Sequence, residues 1–306
     1  MMTEEENEAD ISYCASCGIA EIDDIKLMPC DDCDLVRYCS DECKNNHQSE
    51  HEEDCKQRAA ELRDELLFEQ PESTHMGDCP ICTIPLYGTE SGLHSCCSKV
   101  ICKGCVIANG KRTMELRLPH SCPFCRAPTL ISAEEQDKQI MKRIEMNDPV
   151  AMLDEGRKQY NEGEYRNAFE YWTRAAELGE IDAHYRVASM YREGVGIEKD
   201  TEKELHHLEE AAIGGHPEAR HNLGNYEWVH ENYGRAVLHW VISATQGCDL
   251  SIKTLMLKFR EGCVSKETLA AALRAHKAAV DATKSKQRDA AEKINKAAIE
   301  RRKNKA

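Results

Sequence analysis

Fifteen of the 17 cysteines in this 306-residue chain fall between Cys14 and Cys125, and that crowding constrains the fold more than any other feature. The N-terminus, MMTEEENEAD, is acidic where a secretory leader is basic and then apolar. No apolar run reaches the roughly 18 residues of a membrane span. A reducing location, cytoplasmic or nuclear, is therefore expected, and there such a density of thiols serves metal binding in preference to disulfides. Metal-stapled modules are small, so the first half of the chain holds small domains and no single large enzymatic core.

Charge and composition then divide the chain. Residues 1–56 carry 17 acids against 4 bases, and the last 42 residues carry 12 bases against 5 acids. The net charge is −15, and thiolate ligation makes the cysteine-rich half more negative still, so nucleic acid is not an expected partner despite the finger-like spacing. The expected organisation is an acidic, disordered tail (1–12), a first cysteine module (13–56), a linker helix (57–74), a second cysteine module (75–132), a linker (133–148), helical repeats (149–282) and a basic helical tail (283–306). In the linker helix, Ala59, Leu62 and Leu66 share one face and Pro71 stops the run.

The repeats are read from spacing. Ala168, Trp172 and Ala176; Glu204, Leu208 and Ala212; and Ala236, Trp240 and Ala244 each lie on one helical stripe, followed by Gly179, Gly215 and Gly247 as helix stops. A period in the thirties predicts stacked helical hairpins, an α-solenoid of about three to four units. Asp148 with Pro149 gives one helix start, and Thr201 with Glu204 reads as a capping box for another. The run Tyr191, Gly194, Val195, Gly196, Asp200, Ala211, Ala212, Gly215 resembles the Sel1-like subclass of tetratricopeptide repeats. Trp172, Trp228 and Trp240 are expected in the core, and the isolated Cys248 and Cys263 as buried thiols, with the basic tail a solvated helix.

The first cysteine module reads Cys14-x2-Cys17-x12-Cys30-x2-Cys33-x5-Cys39-x3-Cys43-x7-His51-x3-Cys55. Eight ligands make two closed tetrahedral zinc sites, which are structural and leave no position for a catalytic water. His47 competes with His51, since each lies a whole number of turns from a cysteine. The ladder, with Arg37-Tyr38-Cys39-Ser40, resembles a MYND finger over residues 14–55. That resemblance implies Cys14, Cys17, Cys39 and Cys43 on one zinc, and Cys30, Cys33, His51 and Cys55 on the other. Gln48 stands where many members carry a Trp, which argues against their usual proline-rich ligand.

The second module runs Cys79-x2-Cys82-x13-Cys96-Cys97-x4-Cys102-x2-Cys105-x16-Cys122-x2-Cys125. It resembles a RING finger over residues 79–126, in an all-cysteine form with Lys99 where the common histidine stands. The resemblance implies Cys79, Cys82, Cys102 and Cys105 on one ion, and Cys122 and Cys125 on the other with Cys96 and Cys97, although His94 can replace Cys96. Four zinc ions follow in all. In active members, positions matching Ile81 and Pro123 dock a ubiquitin-conjugating enzyme, and a cation matching Arg126 clamps its thioester.

The expected fold class is therefore two small zinc-stapled α+β modules, each a binuclear finger, followed by an all-α solenoid of helical hairpins. The expected function is protein interaction, as a RING-type ubiquitin ligase that holds a substrate protein through its MYND finger and repeats, with no nucleophile of its own. The alternative is a non-catalytic adaptor. MYND fingers also accompany lysine methyltransferases, but no segment here resembles a SET domain.

Overall fold

A computed structural model describes residues 12–22, 24–87, 91–129 and 132–303. The acidic tail expected at 1–12 lies outside these residues except for Ser12. The chain forms two compact units, residues 1–69 and 70–306.

In the first unit, β1 (Met28–Pro29) pairs antiparallel with β2 (Arg37–Tyr38), and a single long helix, α1 (Asp41–Phe68), follows. Ser40 caps α1 by accepting the Cys43 N–H. The helix expected near 57–70 is thus the C-terminal half of a helix that starts inside the first cysteine module. Its buried leucine is Leu67, whereas Leu66 is half exposed. Cys14, Leu27, Cys30, Cys33 and Tyr38 form the small core.

The second unit begins with the hairpin β3 (Ser91–His94) and β4 (Lys99–Cys102), paired His94 to Lys99, and the helix α2 (Lys103–Glu115). Then come α3 (Ala133–Glu145), α4 (Pro149–Asn161), α5 (Tyr165–Glu177), α6 (Ile181–Glu193), α7 (Thr201–Ile213), α8 (Pro217–Val229), α9 (Tyr233–Thr245), α10 (Asp249–Arg260), α11 (Lys266–Ala282) and α12 (Lys286–Lys303). The stretch 133–148, expected as a linker, holds α3, which packs on α4 and buries Ile144 in the repeat core.

The repeats stack as hairpins α4/α5, α6/α7, α8/α9 and α10/α11. The stripes read from sequence line the second helix of the first three, where Ala168, Trp172, Ala176, Leu208, Ala212, Ala236, Trp240 and Ala244 are all buried. Gly179, Gly215 and Gly247 stand just past those helices with φ of 85°, 85° and 90°. At each, the glycine N–H and the next N–H return to carbonyls of the last turn, for example Gly179 to Ala176 and Glu180 to Ala175. Asp148 caps α4 as expected, accepting from Val150 and Ala151. The cap of α7 is Asp200, which accepts the Lys203 N–H; Thr201 is the first helical residue, displaced from that role by a carboxylate that is the stronger acceptor next to a helix N-terminus. Cys248 is buried as expected, but Cys263 is exposed, in the turn between α10 and α11. Trp228 is partly buried against the core, with Lys258 Nζ 4.0 Å over its ring. No described helix is long and apolar enough to cross a membrane.

Candidate metal centres

Four clusters of ligand atoms stand out, each with all four atoms within 4.8 Å of one another: Cys14, Cys17, Cys39, Cys43; Cys30, Cys33, His51, Cys55; Cys79, Cys82, Cys102, Cys105; and Cys96, Cys97, Cys122, Cys125. In each module the two clusters interlace along the chain. Local backbone geometry assembles them. In four of the five C-x2-C segments the fourth residue after the first cysteine has positive φ: Gly18 (73°), Asp34 (56°), Thr83 (52°) and Arg126 (64°), whereas the fifth, Cys102 to Cys105, opens α2, with Cys102 as its N-cap. In those four, the N–H of the positive-φ residue returns to the carbonyl of the first cysteine, at 2.9, 3.3, 2.8 and 3.1 Å respectively. The chain thereby curls around the sulfurs with its N–H groups pointing inward.

The donor sets fit zinc. Sulfur pairs lie 3.6 Å apart for Cys17–Cys39 and Cys39–Cys43, 3.7 Å for Cys30–Cys55, 3.8 Å for Cys82–Cys102, 3.9 Å for Cys97–Cys122 and 3.4 Å for Cys96–Cys125. A tetrahedron with Zn–S near 2.3 Å has an edge of about 3.8 Å, far longer than a disulfide bond. His51 Nε2 is 3.1 Å from Cys33 Sγ, and His51 is buried. The competing His47 turns its Nδ1 to Tyr38 Oη at 3.1 Å. In the second module both Cys96 and Cys97 join the cluster, while His94 ends β3 and stands outside it.

Protonation favours a cation as well. Burial opposes ionisation of Cys14 and Cys79, yet backbone N–H groups of Cys17 and Cys39 around the first, and of Cys102, Cys82 and Ile81 around the second, bring both thiols down to about 6. Their neighbours move the other way. The adjacent Cys17 and Cys43 thiols push Cys39 up to about 12, and burial together with Cys30 and Cys33 pushes Cys55 up to about 12. Four clustered thiols cannot all ionise alone, whereas a divalent ion stabilises all four thiolates together.

The positions matched to a conjugating-enzyme surface lie at the module's exterior. Ile81 is 41% exposed, Pro123 is half-buried and Arg126 is exposed. Phe124, not singled out from the sequence, is 43% exposed beside Pro123, and its apolar side chain between two ligands was the available signal. A fifth group, His75, Asp182 and His216, also brings ligand-type atoms together. It does not suit a metal: His216 Nδ1 accepts the Ala219 N–H while Nε2 faces Asp182 Oδ1 at 3.3 Å, and Arg186 lies 3.7 Å from the same carboxylate oxygen. A ring accepting at Nδ1 carries its proton on Nε2, which donates to Asp182. His216 also stacks with His75 and Tyr185, at centroid distances of 4.4 and 4.3 Å.

These features define the class: a cysteine-rich zinc-finger region followed by a helical-repeat solenoid. A family model described as MYND finger matches residues 14–55, and one described as Sel1 repeat matches residues 155–180 and 181–216. The chain thus carries a MYND finger, which implies zinc, and Sel1 repeats, both protein-interaction modules. Among curated proteins it is similar to the chitin synthase regulator SKT5 of Saccharomyces cerevisiae, 36% identical over 72 residues. That stretch is 24% of this chain and only 10% of the relative. Among solved structures it is similar to a Sel1 repeat protein from Oxalobacter formigenes (24% identity, TM-score 0.44, covering 49% of this chain and 65% of that one). A second is a protective antigen of uropathogenic Escherichia coli with an SLR fold (21% identity, TM-score 0.37, covering 53% and 36%).

Proposed function

We propose that the chain is a RING-type ubiquitin ligase built as a scaffold. Its four cysteine clusters hold four zinc ions, all structural, through the sixteen side chains grouped above. The second module recruits a ubiquitin-conjugating enzyme, and the MYND finger and solenoid hold the substrate protein. The observation that carries this reading is the interlacing of Cys79, Cys82, Cys102 and Cys105 with Cys96, Cys97, Cys122 and Cys125. It leaves Ile81 and Phe124, one apolar side chain on each of two zinc turns, open to solvent. Such a pair offers an anchor to a partner, and Arg126 beside it offers a planar donor to carbonyls. Transfer is then accelerated by proximity and orientation between thioester and lysine, with no residue of this chain attacking. The dense thiols support a reducing compartment, cytoplasm or nucleus, as the site of action.

The test is autoubiquitination with a panel of conjugating enzymes, run with and without zinc chelation. A ubiquitin ladder that disappears on chelation supports the ligase. No transfer with any enzyme, from a chain that retains its zinc and its helical signal, leaves the non-catalytic adaptor, for which the MYND finger and repeats suffice.

A further inference from the structure

The buried guanidinium of Arg288 sits on the first metal cluster of the second module, far along the chain from it. Arg288 is the third residue of α12, which packs along α2. It is only 7% exposed. Its Nη1 donates to the carbonyls of Pro85 (2.7 Å) and Thr283 (2.9 Å), and its Nη2 to the carbonyl of Ile84 (2.9 Å) and toward Cys82 Sγ at 3.8 Å. Ala291, one turn on, is buried as well. Gly104, between Cys102 and Cys105, makes room: a Cβ there would lie 3.0 Å from Arg288 N and 3.1 Å from its Cγ.

Charge gives this contact a purpose. Four thiolates on a divalent ion leave a net charge of −2, and Cys79, Cys102 and Cys105 are almost wholly buried. A buried dianion is costly unless a partner charge or N–H donors face it. Arginine suits the position because its fork can serve three carbonyls and a sulfur together, where a lysine ammonium could not reach them all. The three carbonyls hold the guanidinium in place whether or not the sulfur is charged, so its positive charge is preorganised toward the cluster.

We propose that Arg288 is an outer-shell member of the metal centre formed by Cys79, Cys82, Cys102 and Cys105, and that α12 is a clasp whose docking is linked to metal binding. The proposal rests on the reading of that cluster as a zinc site. By linkage, whatever binds the thiolates favours the docked helix, and the docked helix tightens the metal in return. The basic C-terminal segment is then a part of the second cysteine module and not a free arm.

The experiment uses the full, zinc-loaded chain challenged with excess chelator, with zinc release followed by a chromogenic zinc reporter. Arg288→Ala is expected to release one equivalent about ten- to a hundredfold faster than the unmutated chain, with the other equivalents unchanged. Gly104→Val, which pushes α12 away while leaving Arg288 and every ligand intact, is expected to do the same. In the unmutated chain, hydrogen exchange of residues 286–303 should accelerate on metal removal while α5, α7 and α9 stay protected. Unchanged release in both variants, or a helix α12 that keeps its protection after metal loss, overturns the clasp. Cys82→Ser separates the two layers. If it lowers zinc content by one equivalent and release in the variants is still unchanged, only the clasp falls; if it leaves zinc content unchanged, the metal reading falls and the clasp with it.

Discussion

Gly224 on α8 lies against the indole of Trp240 on α9, and Gly156 on α4 bears the same relation to Trp172 on α5, each pair sixteen residues apart. A Cβ at 224 would stand 2.6 Å from Trp240 Nε1, and one at 156 closer still to Trp172. The absence of a side chain lets each indole cross onto the neighbouring helix, where Trp172 Nε1 donates to the Leu153 carbonyl and Trp240 Nε1 to Asn225 Oδ1. Gly224→Ala therefore overpacks the hairpin, at a cost of about 1–3 kcal/mol. Trp240→Ala empties it, at about 3–5 kcal/mol. Denaturant unfolding followed by helical circular dichroism checks both, and a change under about 0.5 kcal/mol in either would contradict the packing.

Metal content gives a second prediction. Native mass spectrometry should find four zinc ions, and one cysteine-to-serine change in each cluster should remove about one apiece. Two or fewer would mean that one module does not bind zinc. Chelation should unfold the first unit, whose core is largely its own ligands. The hairpins α4 to α9 should keep their helical signal, because their cores are apolar side chains such as Ala168, Trp172, Val187 and Trp240, with none of the sixteen clustered ligands among them. A proportional loss of helix across 149–260 would contradict that division.

Acid should loosen the contact between His75 and the solenoid, where its N–H donates to the Gly215 carbonyl and its ring stacks on His216. Burial, aided by His216, pushes His75 down to about 4 from an ordinary value near 6.5. The groups facing it are His216, Asp182 and Arg186, with its own N–H donating to the Gly215 carbonyl. Because the folded value lies below the unfolded one, the unfolded chain takes up the proton first. Stability is full above about pH 6.5 and declines as pH falls toward 4, by roughly 3 kcal/mol at most. His75→Phe keeps a ring for the stack and removes the proton site. Its stability should fall less than that of the unmutated chain between pH 6.5 and 4, and parallel curves would refute the assignment.

Much of this was legible in sequence because two kinds of spacing are strict. Helical stripes such as Ala236, Trp240 and Ala244 show themselves through the four-residue interval, and the cysteine ladders through the tight turns that metal ligands require. What stayed hidden depends on tertiary context. Thr83 and Arg126 adopt left-handed φ that neither residue type advertises, because closure of a cysteine turn overrides local preference. Asp200 outcompetes Thr201 as a cap through charge, and the pattern of a capping box does not weigh that. Arg288 meets Cys82 across 206 residues of chain, a distance at which no sequence periodicity operates.

The exposed turn residues separate ligase from adaptor. Ile81→Ala should abolish ubiquitin-chain formation while leaving zinc content and melting temperature nearly unchanged, since a surface anchor carries binding energy and little folding energy. Arg126 calls for more care, because it does two things. Its backbone closes the Cys122–Cys125 turn at φ 64°, and its side chain is free to reach a partner. Arg126→Ala keeps a Cβ in the left-handed region and loses only the guanidinium, so transfer should slow while conjugating-enzyme binding and stability hold. Arg126→Gly loses the same guanidinium but relieves the backbone, by about 1 kcal/mol. A glycine variant that is more stable than the parent yet as slow as the alanine variant assigns the defect to the side chain. If instead both variants transfer ubiquitin at the parent's rate, Arg126 is only a turn residue, and the clamp has to be sought elsewhere on the module.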